Sequence, residues 1–423
     1  MTAPVRLSVA PSGDRLLAQG RPFLYCADTA WAAFGPITEA EWRHYLRRRR
    51  DQGFNAVQIS VLPVLHDTSR SPDDPAPFAP RPGGGWDLDR PSEAYWAAAE
   101  RKVAVAVEMG LVPALVVLWC TYVEGTRCAA VSPWDVSMSE PQVVAHARRV
   151  ADRFGRLCPL FFVSGDTRFE APLESPRYMA ALDALRAACP DALLAMHLNW
   201  DVPLPPEFAA KVNIYAYQSG QRLVHQERPW KLAQDFLAMP VRRPIVNAEP
   251  SYEGHLRVGD QTRWSAFDVR RAVWQSLLSG AKAGIAYGAA GVWSFHRAGM
   301  AFPNEARAGT PFDWEDGLDL PGAWDVGFAR WLWEALDLGT FAPAQDLLLD
   351  ADPQVRAAAT TDRRRLAIYA PHATPLRLAI PPGGATLRAI DLEARRIHFG
   401  QVADLAVVPP PFNADALLLV ERG

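Results

Sequence analysis

The chain has 423 residues, 49% hydrophobic and 22% charged, with 44 Lys and Arg against 47 Asp and Glu. This composition is typical of a folded globular protein and excludes disorder over most of the chain. The formal net charge of −3 supplies no basic field, so we expect no nucleic-acid partner, and the longest apolar run, 111–120, is about half of the ~20 residues that cross a bilayer, so we expect no membrane partner either.

The N-terminus and the cysteines indicate the compartment. The first 17 residues lack the apolar core of a secretory signal, so we expect a cytoplasmic protein, or a secreted one whose leader has been removed. The five cysteines are scattered without C-x-x-C spacing, which favours reduced, mostly buried thiols over a disulfide framework or a zinc ribbon. They are Cys26, Cys120, Cys128, Cys158 and Cys189.

Eight short apolar runs alternate with longer segments of helical period. Capping signals support the first helices, namely Thr38 with Glu41, Ser92, and Ser139 with Pro141. Later helices are expected near 176–188, 205–211, 230–238, 267–281 and 323–337. The predicted strands are 22–27, 55–62, 112–119, 160–164, 193–198, 212–217, 244–248 and 284–287. Eight βα units of this kind predict an α/β protein with a closed (β/α)8 TIM barrel.

An open doubly wound sheet is the structural alternative to the barrel. Such a sheet is normally accompanied by a glycine-rich turn after an early strand, and neither G-x-G-x-x-G nor a P-loop occurs here. The glycines at 83–85 lie in a proline-rich segment, 72–91, which we interpret as a long loop after the second strand that contributes to specificity.

Beyond about residue 341 the helical pattern ends and short β runs begin. These runs are separated by proline- and glycine-rich turns at 381–384 and 409–411. The sequence therefore predicts a barrel over 1–340 and a small C-terminal antiparallel β-sandwich over 341–423. The predicted tail strands are 347–349, 355–360, 365–369, 376–380, 387–391 and 416–420.

Catalytic groups in such barrels lie at the carboxyl ends of the strands. Asp166 follows the fourth predicted strand and Glu249 follows the seventh. Glycoside hydrolysis requires a carboxyl pair of this kind, and we predict Glu249 as nucleophile and Asp166 as general acid/base. The alternative is that either carboxylate caps a helix or pairs with an arginine such as Arg168.

Other polar and aromatic residues at strand ends are candidates for sugar binding. Asp28 could bind a hydroxyl or cap the next turn, and Tyr217 could orient Glu249 or belong to the core. His197 and Asn199 are two positions apart and would point to the same side if the strand continues. Glu253 and Glu305 are reserve carboxylates. The predicted substrate-binding residues are Asp28, Trp31, Gln58, Trp119, His197, Asn199, Tyr217, Gln218, Tyr252 and Trp293.

Metal and serine chemistry are weakly indicated. The nine histidines include no H-x-H on the first strand and no H-E-x-x-H, and no G-x-S-x-G occurs. We therefore predict no metal and no cofactor.

Taken together in order, several strings resemble the apiosidase-like glycoside hydrolases. They are 20–31, 52–58, Ser164-Gly165-Asp166, 217–220, 247–254 and 286–293. The resemblance, over roughly residues 5–420, implies a (β/α)8 barrel with a C-terminal β-domain and an enzyme related to those that remove apiose-linked side chains from plant pectin. It assigns the paired carboxylates to Asp166 and Glu249. The family often has Gly-Gly-Asp where this chain has Ser164-Gly165-Asp166, and its characterised members are usually exported.

These observations lead to a specific functional hypothesis. We predict a retaining, exo-acting glycosidase that cleaves a plant-derived oligosaccharide or glycoside, in which Gln58, Asp28, His197 and Trp293 shape the glycone pocket. A non-catalytic glycan-binding barrel and a uronate lyase are the alternatives, because a fold alone does not establish an activity.

Overall fold

Eight parallel strands form one sheet at the centre of the fold. The computed structural model describes residues 4–35, 37–65, 67, 74–132, 136–302, 309–349, 352–379, 384–402, 406–407 and 413–422. The barrel strands, numbered one to eight along the chain, are Tyr25–Thr29, Ala56–Ser60, Val112–Trp119, Leu160–Gly165, Leu193–Ala195, Tyr215–Gln218, Ile245–Glu249 and Gly284–Tyr287.

Strands one to five pair in chain order, as do strands six to eight, and strand eight pairs with strand one, so that strands five and six are the two ends of the sheet. Between strands five and six, the amide of Asn213 donates to the carbonyl of Leu194 at 2.8 Å, and the Asn213 side chain accepts from the Leu194 amide at 3.0 Å. Backbone and side chain of one asparagine thus join these two strands. The predicted (β/α)8 barrel is confirmed.

Helices surround the barrel because the strands are apolar on both sides and need covering. Thr38 caps the first helix in the predicted capping box with Glu41, and Ser265 with Asp268 does the same for a later one. The α-helices are Glu39–Asp51, Glu93–Glu108, Arg127–Ala130, Glu140–Phe154, Glu174–Ala188, Pro206–Ala209, Arg228–Leu237, Ala266–Leu278, Trp314–Leu318 and Gly322–Ala335, and the 3-10 turns are Cys120–Tyr122, Leu223–His225, Leu338–Thr340 and Gln345–Leu347.

Two small sheets lie outside the expected pattern. Leu7–Val9, Leu16–Ala18 and Arg21–Phe23 form an antiparallel sheet ahead of strand one. The proline-rich segment also contains a hairpin, Phe78–Pro80 with Trp86–Pro91. The first sheet corrects the predicted limits of strand one, which begins at Tyr25 and continues through Asp28 to Thr29.

The C-terminal part forms two antiparallel sheets. A six-stranded sheet has the order Ala342–Pro343, Arg356–Ala359, Arg365–Ala370, Ala416–Glu421, Ala385–Asp391 and Arg396–Val402, and a three-stranded sheet has the order Leu348–Leu349, Leu376–Leu378 and Ala406–Val407. Both faces of the larger sheet are buried along its central strands, whereas most of its edge strand Arg396–Val402 is exposed. Along its strand Ala416–Glu421, Leu418 and Val420 belong to a core that also contains Leu378 of the smaller sheet, whereas Leu417 and Leu419 join the barrel core.

A buried ion triad joins the barrel helices to the C-terminal sheet. Arg270 donates to Asp325 at 2.9 Å and to Asp415 at 2.9 and 3.0 Å. Asp415 immediately precedes the strand Ala416–Glu421, so one guanidinium connects two barrel helices to that strand. None of the helices in the described part of the chain has both the length and the apolar character that crossing a lipid bilayer requires.

Candidate active site

A cavity of about 760 Å³ opens where the barrel strands end at their carboxyl termini. Its volume lies within the range of small-molecule sites. Most of the predicted site residues line it, namely Trp31, Trp119, Asp166, Asn199, Gln218, Glu249, Tyr252 and Trp293.

The two predicted catalytic carboxylates meet in this cavity. Asp166 directly follows strand four, and Glu249 is the last residue of strand seven. One oxygen of each carboxylate and one ring nitrogen of His197 all lie within 4.8 Å of one another. Asp166 has a φ of 52°, a left-handed conformation that residues other than glycine adopt rarely and that occurs at strained functional positions.

His197 lies beneath the two carboxylates. Its Nδ1 is 3.8 Å from Asp166 Oδ1, and its Nε2 is 3.6 Å from Glu249 Oε2. Both distances exceed those of a hydrogen bond, so the ring adjoins the two carboxylates without a hydrogen bond to either. Burial lowers the pKa of His197 to about 4, and the ring is therefore neutral at pH 7.

Gln218 orients Glu249, and Tyr252 lines the same part of the cavity. The amide nitrogen of Gln218, at the end of strand six, donates to Glu249 Oε1. Burial, and next the charge of Glu249, raise the pKa of Tyr252 well above 10, so that this phenol stays protonated beside the carboxylate. An amide donor on Oε1 is a contact that the ionised form of a carboxylate accepts.

Aromatic rings form the walls, and two glycines make room for them. A Cβ at position 165 would clash with the indole of Trp119, and one at position 288 would clash with the ring of Tyr252. The indole of Trp119 in turn meets Trp31 edge-on, with ring centroids 5.2 Å apart. The glycine of Ser164-Gly165-Asp166 therefore permits a tryptophan to lie against the strand that delivers Asp166.

The loop that carries Asp166 is held by a residue that the sequence reasoning missed. Glu174, buried at the start of helix Glu174–Ala188, accepts from the Thr167 hydroxyl at 2.8 Å and from the backbone amides of Arg168 and Ala171 at 3.1 and 2.9 Å. A glutamate opening a helix a few residues beyond a strand end is the signal that could have identified it.

The described contacts of Arg168 do not include the ion pair with Asp166 or Glu249 that was considered from the sequence. Its guanidinium donates to the Asn199 side chain at 3.0 and 3.2 Å and pairs with Glu170 at 3.2 Å. Asn199 therefore lines the cavity as a partner of Arg168.

Trp200 was also not selected from the sequence, although it adjoins Asn199. The guanidinium carbons of Arg222 and Arg228 lie 4.0 and 4.1 Å from its ring centroid. Trp200 and Arg222 both line the cavity. Cation–π contacts thus hold a positive charge at its rim, and no sequence motif marks that arrangement.

The predictions of Asp28 and Gln58 as sugar ligands were wrong. Asp28 is 0% exposed, and its carboxylate accepts from the Tyr45 hydroxyl and from Arg49 Nε, both at 2.6 Å. Gln58 is equally buried, and its side chain donates to the Ala248 carbonyl at 3.0 Å from beneath Glu249. Both positions lie within strands, where Asp28 points towards helix Glu39–Asp51 and Gln58 into the barrel interior.

The orienting role predicted for Tyr217 was also wrong. Its hydroxyl donates to the carbonyl of Pro229 at 2.7 Å, and its ring stacks on Phe236. Successive side chains of a strand point to opposite sides, so the inward position is Gln218. Of the reserve carboxylates, Glu253 is buried against Tyr287, and Glu305 lies outside the described residues.

Asp166, His197 and Glu249 could also hold a metal ion, since each offers one ligand atom within the 4.8 Å cluster. The absence of a metal, which we expect from the sequence, stays a prediction. A pair of carboxyl groups is also what glycosidic bond cleavage requires.

A barrel with carboxylates at the carboxyl ends of its strands and a cavity between them is an arrangement that glycoside hydrolases use. The sequence profile described as "Apiosidase-like, catalytic domain" matches residues 11–340. The chain belongs to this family, and the resemblance noted in the sequence is confirmed.

Several solved structures with a similar fold are described as glycoside hydrolases. One described as a glycoside hydrolase has a TM-score of 0.82 at 17% identity, covering 98% of this chain and 96% of its own. A glycoside hydrolase family 5 protein from Bacteroides vulgatus has a TM-score of 0.80 at 19% identity, covering 98% and 93%. A family 5 mannosidase from Rhizomucor miehei has a TM-score of 0.53 at 12% identity, covering 79% and 99%. Similarity at these identities shows the fold alone, and no curated protein matches the chain.

Proposed function

We propose that the protein is a retaining, exo-acting glycosidase in which Glu249 is the nucleophile and Asp166 the general acid/base. The observation that carries this proposal is the separation of the two carboxylates, whose nearest oxygens lie within 4.8 Å of each other. Retaining enzymes hold their carboxyl groups about 5–5.5 Å apart, whereas inverting enzymes leave about 6.5–9.5 Å for a water molecule.

The surroundings of each carboxylate support its assigned role. Glu249 receives the Gln218 amide and adjoins the protonated Tyr252, which favours the ionised form that a nucleophile requires. In the first step Asp166 gives its proton to the departing oxygen while Glu249 attacks the anomeric carbon. In the second step Asp166 takes a proton from the water that cleaves the glycosyl-enzyme.

The shape of the cavity supports action on the end of a short glycan. A volume of about 760 Å³ suits a small ligand, and the indoles of Trp31, Trp119 and Trp293 provide apolar faces for sugar rings. We infer that the substrate is a plant-derived oligosaccharide or a glycoside.

Hydrolysis of aryl glycosides and pectin fragments, followed by NMR during the first turnovers, tests the proposal. We expect one glycone to be released from the chain end with its anomeric configuration retained. An inverted product would exclude Glu249 as nucleophile, and an unsaturated product that absorbs ultraviolet light would indicate a uronate lyase.

A further inference from the structure

The segment 166–171, which follows strand four, begins with Asp166 in a strained conformation. Asp166 has a φ of 52° and Phe169 one of 56°, so two residues of this short segment occupy the left-handed region. Residues other than glycine persist in that region only where the surrounding structure holds them there. The contacts of the segment should therefore include the restraint that fixes the Asp166 backbone.

Thr167, the residue after Asp166, is bound on two sides. Its carbonyl accepts from the Asn199 amide at 2.9 Å, and an isolated bridge to Leu198 continues the pairing of strands four and five. Its hydroxyl donates to Glu174 Oε1 at 2.8 Å, and the whole residue is buried. A rotation of the backbone at Asp166 would therefore break bonds on both sides of Thr167.

Glu174 binds the segment at three points. Its Oε1 accepts from the Thr167 hydroxyl and from the Arg168 amide at 3.1 Å, and its Oε2 accepts from the Ala171 amide at 2.9 Å. Glu174 is 2% exposed and begins its helix, where the unpaired amides of the first turn favour a carboxylate. Both of its oxygens are thus engaged by the segment, and almost none of the residue is exposed to a ligand.

We propose that Glu174 is a positioning residue for Asp166, whose three hydrogen bonds hold the segment 166–171 so that the Asp166 carboxyl reaches the departing oxygen. This inference rests on the proposed function, in which Asp166 gives and later recovers a proton. Glu249 stands on strand seven and shares none of these three bonds. Loss of Glu174 should therefore weaken proton transfer and leave nucleophilic attack nearly intact.

The leaving group of the substrate separates proton transfer from nucleophilic attack. Phenolate is a poor leaving group that needs a general acid, whereas 2,4-dinitrophenolate departs without a proton. In a retaining reaction kcat/KM reports formation of the glycosyl-enzyme, and kcat on an activated substrate reports its hydrolysis, in which Asp166 acts as base. A misplaced Asp166 therefore produces a kinetic pattern that a general loss of structure does not.

The test measures Glu174→Ala on the phenyl and 2,4-dinitrophenyl glycosides of the sugar that the wild-type protein releases. We expect kcat/KM on the phenyl glycoside to fall roughly 10- to 100-fold, and kcat/KM on the dinitrophenyl glycoside to change by less than about threefold. On the dinitrophenyl glycoside kcat and KM should fall together, because the glycosyl-enzyme accumulates. Equal losses of kcat/KM on the two substrates, or no loss on either, would overturn the proposal.

Two further variants bracket this effect. Thr167→Val keeps Glu174 but removes one of the three bonds, so it should show the same pattern with a loss of roughly three- to tenfold on the phenyl glycoside, and it decides the question if Glu174→Ala does not fold. Glu41→Ala is the matched control, because Glu41 also lies in the first turn of a helix, accepts from the Thr38 amide at 2.8 Å and does not line the cavity. It should lower stability without any dependence on the leaving group.

Asp166→Asn distinguishes failure of this proposal from failure of the proposed function. If Asp166→Asn shows no dependence on the leaving group, Asp166 is not the acid/base and the proposed function fails, together with the catalytic effect of Glu174. If Asp166→Asn shows the dependence and Glu174→Ala does not, only the role of Glu174 is wrong. A crystal structure of Glu174→Ala needs no substrate, and we expect the φ of Asp166 to leave the left-handed region. A φ still near 52° would mean that Glu174 does not hold the segment.

Discussion

Two groups of carboxylates adjoin the barrel strands, and only one of them faces the cavity. Asp166 and Glu249 line the cavity, with side chains that are 23% and 10% exposed. Asp28 and Glu253 lie behind the strands. Asp28 binds Tyr45 and Arg49, and Glu253 accepts from the Tyr287 hydroxyl at 2.6 Å and from the Gly322 amide at 2.9 Å.

The two groups differ in the direction in which their side chains point, and not in residue type. We call Asp28 and Glu253 the outer group, and Asp166 and Glu249 the inner pair. The carboxylates of the outer group have donors that compensate their burial, and they connect strands one and eight to the helices Glu39–Asp51 and Gly322–Ala335. The inner pair stands close together beside a neutral imidazole, an arrangement that costs stability and is useful for chemistry. Substitutions should therefore affect turnover in the inner group and folding in the outer group.

The largest effect is expected from the inner pair. Glu249→Gln and Asp166→Asn keep the shape of each side chain but remove the nucleophile or the acid/base, so turnover should fall at least 10²–10⁴-fold, a range typical of general acid/base groups. The measurement is kcat on the best aryl glycoside, with thermal unfolding recorded in parallel.

Asp183→Asn is a suitable control, because Asp183 pairs with Lys211 on the surface. It should leave both turnover and unfolding temperature unchanged. Near-normal activity in both Glu249→Gln and Asp166→Asn would refute the assignment of the inner pair.

The outer group should show the opposite behaviour. Arg49→Met leaves the buried Asp28 charge without its guanidinium, and the free energy of unfolding should fall by about 3–5 kcal/mol. Activity per folded molecule should be nearly unchanged. Urea denaturation measures the loss, and the double variant Asp28→Asn/Arg49→Met should lose less than the sum of the single variants. Additive losses would mean that the two side chains do not interact.

The sequence was sufficient for the order of elements and for the positions of Asp166 and Glu249 at the ends of their strands. Parallel barrel strands are buried on both sides, so each reads as an apolar run, and the polar residue that follows is conspicuous. Asp166 and Glu249 were recognisable for this reason. The hairpin Phe78–Pro80 with Trp86–Pro91 was not, because its strands are short and rich in proline.

The sequence did not predict which side chains face the cavity where this depends on the residue at which a strand ends. Strand one was expected to end at Ala27, which would have placed Asp28 in the rim, but it continues to Thr29. Strand six was expected to end at Tyr217 and ends at Gln218. A shift of one or two residues changes which side chain faces inward, and local patterns do not fix strand ends that accurately.

A smaller effect concerns the pH dependence of the outer group. Burial raises the pKa of Glu253 to about 7, from 4.5. Between these values the folded protein holds a proton that the unfolded chain has lost, so this group lowers the free energy of unfolding as pH rises from about 4.5 to 7. Glu253→Gln removes the titration, and its stability relative to wild type should increase by about 2–3 kcal/mol from pH 5 to pH 8.

The histidines act in the opposite direction. The pKa values of His146, His197 and His255 are lowered by burial to about 4, so their contribution to stability falls as pH drops from 6.5 towards 4. Comparing Glu253→Gln with wild type at each pH cancels this contribution. A difference that stays constant from pH 5 to pH 8 would mean that Glu253 does not titrate in this range.

The smallest effect is expected at His197, which adjoins both Asp166 and Glu249 without a hydrogen bond to either. His197→Gln removes the ring that meets Trp31 at a centroid distance of 5.3 Å, and a small displacement of Asp166 or Glu249 should reduce kcat/KM roughly tenfold. Because His197 could also bind a cation together with both carboxylates, activity should be measured with and without a chelator. A positioning role predicts that the chelator leaves wild-type kcat unchanged and that added Zn²⁺ does not restore the variant. Loss of wild-type activity on chelation, recovered by Zn²⁺, would instead assign a metal to the cavity and change the role of the inner pair.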